Sequence, residues 1–145
     1  MKTDETQGAP KARRTPRTPA KNSLAIVERA FRGTIEEQYG HIVWLSGVMR
    51  AMHARHSLLL RGPAVLFAAS GQPRQSLQIG DVVVSGLPHY ESMVRQLIQG
   101  GGPTYVFEPD VYRYELTTRL MPEVTMVDAA GVVALYESHH HVWYW

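Results

Sequence analysis

Short apolar runs alternate with amphipathic segments along this chain, and that alternation is the feature that most narrows its fold. Strands are predicted at residues 24–27, 57–60, 104–107, 124–127 and 141–145, where the runs are short and apolar. Helices are predicted at residues 34–53, 64–69, 91–99, 110–120 and 128–136, from apolar spacing of three and four residues or from a capping residue. Strands that alternate with helices at this spacing favour a parallel sheet covered by helices, an α/β sandwich.

Two parts of the pattern are less regular. Residues 71–80 are polar and are expected to form a loop, whereas residues 81–84 fit either a strand or an extended loop. His53 and His56 are interpreted as the end of the long helix, because positive charge is favourable at the carbonyl end of the helix dipole. This structural interpretation is preferred over a catalytic one for both histidines.

The first 23 residues differ from the rest in charge. They carry six basic and two acidic residues, whereas the remainder of the 145-residue chain carries nine basic and eleven acidic ones. The basic isoelectric point of the sequence therefore reports this segment and not the folded part. With three prolines and hardly any large apolar side chain, residues 1–23 are predicted to be a disordered basic tail, and residues 24–145 a single α/β domain.

The sequence also bears on the cellular location of the protein. No apolar run approaches the roughly 20 residues that a membrane-spanning helix needs. Arg13 and Arg14 are not followed by the apolar segment of an export signal. We therefore expect a soluble cytoplasmic protein without membrane contact, whose tail is a solvated extension rather than a nucleic-acid-binding arm.

The chain contains no cysteine, which excludes disulfides, Cys-ligated metals and thiol nucleophiles. It also lacks the phosphate-loop, dinucleotide-binding, nucleophile-elbow and zinc-peptidase motifs. Standard enzyme classes thus lose their sequence signatures, and no catalytic residue or cofactor is predicted.

Histidines and aromatic residues crowd the end of the sequence. His139, His140 and His141 could bind a metal, but alternation on a strand lets at most two of them point the same way, and no metal site is predicted. The same alternation puts Trp143 and Trp145 on one face of the last strand. The other face would be exposed unless another subunit covers it, which favours an oligomer.

The order of elements and three short runs resemble a known group of proteins. These runs are SLLLRGPAVL at residues 57–66, LPHY at residues 87–90 and PTYVFE at residues 103–108. Over residues 24–145 the chain resembles the DsrE/DsrF/DsrH-like group, to which the TusBCD sulfur-relay subunits belong. The resemblance implies a flavodoxin-like layer of about five mainly parallel strands between helices, and assembly into homo- or hetero-oligomers.

One departure from that group matters for function. Sulfur-carrying members have a cysteine at the end of the strand that follows the Gly-rich helix terminus, and here Phe107 stands in the corresponding place. A persulfide carrier requires a thiolate, which phenylalanine cannot supply. The resemblance therefore implies a non-catalytic, DsrH- or TusB/TusC-like subunit that scaffolds or regulates a complex, with Cys-bearing DsrE-like subunits as its candidate partners.

Two alternatives remain open. A small-anion or small-molecule binding module could use the crevice at the carboxyl ends of the strands, where guanidinium groups bind oxyanions. An enzyme without thiol chemistry could use Glu28, Glu108, His89 or the terminal histidines, although no spacing identifies a reaction. The candidate ligand-binding residues at this crevice are Arg29, Arg32, Arg61, His89, Phe107 and Glu108.

Overall fold

The computed structural model describes residues 21–30, 40–74 and 76–145 of the chain. Its strands are β1 (Asn22–Val27), β2 (Arg55–Leu60), β3 (Leu77–Ile79), β4 (Val82–Val84), β5 (Thr104–Phe107), β6 (Thr125–Val127) and β7 (His141–Tyr144). Its α-helices are α1 (Gly40–Ala51), α2 (Tyr90–Gln99), α3 (Glu108–Arg113) and α4 (Ala129–Ser138). A 3₁₀ helix spans Gly62–Ala68.

Five strands form a parallel sheet in the order β6-β5-β2-β1-β7. The α/β class with a five-stranded parallel sheet between helices is thereby confirmed. Strand β1 lies between β2 and β7. The chain therefore adds β2, β5 and β6 on one side of β1, and its last strand, β7, pairs with the other side of β1. Because all five strands run in one direction, the segments that follow them meet along one edge of the sheet.

Both faces of β1 and β2 are buried, which explains their continuous apolar sequences. Ala25, Val27 and Leu60 pack on the face covered by α1, α2 and the 3₁₀ helix. Leu24 and Leu59 pack on the opposite face, where Val132 and Leu135 of α4 complete a smaller cluster. The alternation along each strand therefore divides the apolar residues between two layers of core.

The long predicted helix is described from Gly40 to Ala51. Residues 34–39 of the predicted helix, with the capping pattern that Thr34 and Glu37 form in the sequence, lie outside the described residues. Gly40 is buried against α2, and a Cβ atom there would lie 2.3 Å from the ring of Tyr90. Glycine at this position therefore lets α1 approach α2 closely.

Two predicted elements are corrected. Residues 71–80 are not wholly a loop, because Leu77–Ile79 pairs with Val82–Val84 in an antiparallel hairpin, which also makes residues 82–84 a strand. The helix predicted at residues 110–120 is shorter and begins earlier, at Glu108–Arg113. Glu115 follows it with a φ of 54°, in the left-handed region that ends a helix.

The predicted tail falls mostly outside the described residues, which begin at position 21, and Asn22 and Ser23 belong to β1 rather than to the tail. Among the described helices, none combines the length and the apolar character that spanning a membrane requires.

Candidate functional site

Three side chains meet where β1, β2 and β5 end. Arg61 Nη1 lies 3.2 Å from Glu28 Oε1, and the Arg61 guanidinium carbon lies 4.9 Å from the centre of the Phe107 ring. The last paired residues of these strands are in register, which places the three residues in a row across the sheet. About a third of the Glu28 and Arg61 side chains is exposed. We call these three residues, together with Tyr144 at the end of β7, the rim.

Tyr144 of β7 joins the rim through Glu28. The pKa of Tyr144 is raised, mainly by hydrogen bonding between its phenol and the Glu28 carboxylate, and burial and the negative charge of Glu28 raise it further. The backbone N–H of Glu28 donates to Trp145 O at 2.8 Å, which holds the end of β1 against the end of the last strand. The Glu28 carboxylate is therefore shared between a guanidinium and a phenol.

The turn after β2 positions Arg61. Its backbone N–H donates to Val27 O at 2.9 Å, and the next N–H, of Gly62, donates to Asp110 Oδ2 at 2.6 Å. Gly62 has a φ of +51°, and a Cβ atom there would lie 2.9 Å from Glu28 O. A glycine is thus required for the turn both by its backbone angle and by the close approach of β1.

The hydrogen-bond donors of Arg61 are only partly paired. Its Nε atom is buried and has no hydrogen-bond partner within the described part of the chain. A buried donor without an acceptor costs free energy, so the arginine is held by Glu28 and by the Phe107 ring rather than by a complete set of hydrogen bonds. The described side chains of the rim include no activated nucleophile.

The other predicted site residues lie in different surroundings. Arg29 is exposed beside Glu28, and Arg32 lies outside the described residues. Glu108 accepts a hydrogen bond from the Tyr112 hydroxyl at 3.1 Å, which is the main reason why the pKa of Tyr112 is raised. Their binding roles, like those of the rim residues, stay predictions.

His89 caps the start of α2. Its Nδ1 atom accepts from the Ser92 N–H at 3.3 Å, and its Nε2 atom hydrogen-bonds to Gln72 O at 2.9 Å. Both ring nitrogens are thus occupied by contacts that fix the helix end, and these contacts do not involve the rim. The structure brings Arg61 and Phe107 together but does not join His89 to them.

The interpretation of His56 as a helix end is wrong. His56 lies in β2 with 2% of its surface exposed, and its ring nitrogens contact Ser23 Oγ at 2.8 Å and Ser46 Oγ at 3.0 Å. Burial is the main reason why the pKa of His56 falls to about 4, and the positive charges of His139 and Arg50 lower it further. His53, by contrast, does follow the end of α1, with a φ of 63°.

The hydrogens of this buried cluster can be assigned. The Ser46 hydroxyl donates to Ile42 O at 2.7 Å, so its oxygen accepts from Nε2–H of neutral His56, and the Ser23 hydroxyl donates to Nδ1. We call Ser23, His56 and Ser46 the buried polar cluster. Each of its members has a partner within the chain, which indicates a structural role.

Two of the three terminal histidines, His139 and His140, also have hydrogen-bond partners within the chain. His139 Nδ1 lies 2.7 Å from Leu135 O and its Nε2 lies 3.1 Å from Ser57 Oγ, while His140 hydrogen-bonds to Asn22 Oδ1. Within residues 21–30, 40–74 and 76–145, no three His, Cys, Asp or Glu side chains are placed to hold a metal ion.

Sequence reasoning missed Tyr144 and Asp110 as parts of the site. Tyr144 reaches Glu28 because β7 pairs with β1, at the opposite end of the sequence from it. Asp110 meets Gly62 because α3 begins directly after β5 and lies beside the 3₁₀ helix. The strand order would have been needed to find either contact, and local patterns do not specify it.

Comparison with known proteins bears on the fold. No family model matches the chain, and no curated protein sequence matches it. Among solved structures, the crystal structure of the ychN protein from E. coli matches with a TM-score of 0.67, covering 86% of this chain and 99% of that one at 16% sequence identity. The chain therefore has the fold of that protein, in agreement with the fold expected from the DsrE-like resemblance.

Proposed function

We propose that this chain is a non-catalytic DsrE-like subunit that scaffolds or regulates a sulfur-relay or related complex through protein–protein contacts. The observation that carries the proposal is the residue at the end of β5. Phe107 stands there, its ring lies under the Arg61 guanidinium, and the whole chain lacks cysteine. A strand end filled in this way has no thiolate with which to accept sulfur.

Exposed apolar side chains support a role in assembly. On β7, an edge strand of the sheet, Val142, Trp143 and Tyr144 are 38%, 38% and 57% exposed. Leu45 of α1 is 39% exposed, and Met52, in the turn directly after α1, is 76% exposed. Aromatic and large apolar residues are enriched at the centres of protein interfaces, and an edge strand offers unpaired backbone groups to a partner.

The anion-binding alternative is weakened by Glu28. An oxyanion at Arg61 would have to compete with a carboxylate that already lies 3.2 Å away. The rim would then carry two negative groups for one guanidinium, which is unfavourable. Scaffolding requires no such rearrangement.

The proposal is tested by calorimetric titration of this chain with a purified Cys-bearing DsrE-like subunit encoded in a neighbouring reading frame. We expect binding that Val142→Lys or Met52→Lys weakens by about tenfold or more, because a charge is then placed in an apolar contact. The matched control is Val133→Lys on α4, since Val133 is 54% exposed and lies on neither surface.

Three results would oppose the proposal. Absence of binding to any Cys-bearing relative removes the scaffold role. Equal weakening by Val133→Lys shows that added charge, and not the location of the contact, changes affinity. Heat on titration with sulfite or thiosulfate, lost in Arg61→Ala, supports the anion-binding alternative instead.

A further inference from the structure

The β3–β4 hairpin stands apart from the main sheet. Its two strands form a separate sheet, and they make at most marginal contact with the other helices and strands. Pairing of Leu77 with Val84 and of Ile79 with Val82 puts four aliphatic side chains on one face of the hairpin. We call this hairpin the arm.

The tip of the arm exposes its apolar face. Ile79 is 57% and Val82 is 64% exposed, whereas Leu77 and Val84 at the base are half-buried. A two-stranded hairpin is only marginally stable in water by itself. Covering the aliphatic side chains at its tip with another apolar surface would therefore stabilise the arm.

A surface of matching character lies on the same chain, between α1 and α2. This open groove has a volume of about 550 Å³. Its apolar lining consists of Val43, Trp44, Gly47, Val48, Ala51 and Met93. Trp44 is 58% exposed, and a Cβ atom at Gly47 would meet no atom within 4 Å, so space remains above the groove floor.

We propose that the arm of one copy of this chain occupies the α1–α2 groove of a second copy. The arm is short enough to lie along the groove, because strands of three residues are about 10 Å long and the twelve-residue α1 beside the groove is about 18 Å long. Ile79 and Val82 would then bury their side chains against Trp44 and Val48.

Charge at the two ends is also complementary. Asp81 lies exposed in the turn at the tip of the arm, and Arg50 lies at one end of the groove. The Arg50 guanidinium donates to the carbonyl oxygens of Ala54 and Gly100. If the arm is inserted with its tip toward Arg50, the Asp81 carboxylate comes close to the Arg50 guanidinium. The carbonyl groups that already accept from this guanidinium are neutral, so a carboxylate would be a stronger acceptor.

Arm and groove are different surfaces, so two copies related by a two-fold axis would each insert an arm into the other. This assembly involves the chain alone. It does not rest on the proposed function, and either can fail without the other.

Cysteine cross-linking tests the contact directly, because the natural chain has no thiol that would interfere. A Val82→Cys copy and a tagged Ala51→Cys copy are mixed under mild oxidation. We expect a disulfide between the two different copies at several times the yield obtained with tagged Ala130→Cys, an exposed position on α4. Equal yields for the two pairs would mean random collision and would overturn the proposal.

Light scattering on the full chain at tens of micromolar supplies the second measurement. We expect a mass of at least twice 16.3 kDa, and a return toward one copy with Val82→Asp on the arm or Gly47→Leu in the groove. Val133→Asp on α4 is the matched control and should keep the wild-type mass. A monomeric wild type, or an assembly that survives Val82→Asp, contradicts the proposal.

Discussion

The two polar clusters of this protein occupy opposite ends of the same two strands. Ser23 and His56 are paired at the beginning of β1 and β2, and Glu28 and Arg61 follow the ends of those strands. The buried polar cluster is neutral and is hydrogen-bonded within the chain, whereas the rim is charged, partly exposed and leaves Arg61 Nε without a described partner. A satisfied cluster stabilises the fold, while an incompletely satisfied one retains groups that a partner can engage.

We expect the largest loss of stability when the imidazole of the buried polar cluster is removed. His56→Ala leaves a cavity and two buried hydroxyl groups without their partner, so we expect the free energy of unfolding to fall by about 3–4 kcal/mol. Urea denaturation measures the change. The control is His41→Ala on the exposed side of α1, which should stay within about 0.5 kcal/mol of wild type.

The same histidine gives the pH dependence. Its pKa is about 4 in the folded protein and near 6.5 when unfolded, so the unfolded state binds more protons between these values. Stability is therefore complete above pH 6.5 and is lost as the pH falls toward 4, by up to about 3 kcal/mol. Denaturation at a series of pH values should show this decline, and His56→Leu should lack its contribution. A decline that persists unchanged in His56→Leu would assign it to other groups.

Replacing a glycine by alanine should have opposite effects on stability at the rim, where Gly62 lies, and in α1, where Gly47 lies. Gly62→Ala places a Cβ 2.9 Å from Glu28 O at a φ of +51°, and we expect a loss of about 2 kcal/mol. Gly47→Ala meets nothing within 4 Å in the middle of α1 and should gain about 0.5–1 kcal/mol. Thermal unfolding of both variants gives the sign of each change, and the same sign for both would contradict the structure of the turn.

The smallest expected effect concerns the charge of the rim. Glu28→Gln replaces the charged acceptor of the Tyr144 phenol with a neutral amide oxygen, so the pKa of Tyr144 should fall toward its ordinary value. Glu108→Gln should do the same for Tyr112 and leave Tyr144 unchanged. Ultraviolet titration of single-tyrosine-to-phenylalanine variants separates the two signals. Because Glu28 and Arg61 are about a third exposed, stability should change by less than about 1 kcal/mol.

The sequence was informative where local pattern is sufficient. The apolar runs of β1 and β2 predicted buried parallel strands because each run is covered on two faces, and Asp128 predicted a capped helix that the structure has, with its carboxylate accepting from the Gly131 N–H at 2.8 Å. The 3₁₀ helix at Gly62–Ala68 lies where a short helix was predicted.

Other features depend on contacts between distant parts of the chain. His56 looked like a helix end because its two hydroxyl partners are 33 and 10 residues away along the chain. Tyr144 could not be assigned to the rim before β7 was known to pair with β1. The hairpin was not predicted because residues 71–80 are mostly polar. Its pairing depends on residues 82–84 lying opposite residues 77–79, which the local pattern does not show.

We propose that this chain takes part in assembly and carries no sulfur, and one measurement addresses both properties. Native mass spectrometry of the chain mixed with a persulfide-loaded, Cys-bearing DsrE-like subunit measures both properties at once. We expect a complex of the two subunits in which the added sulfur stays on the cysteine-bearing one, because Phe107 offers no thiolate. An added sulfur atom on this chain, or the absence of any complex with the partner, would contradict it.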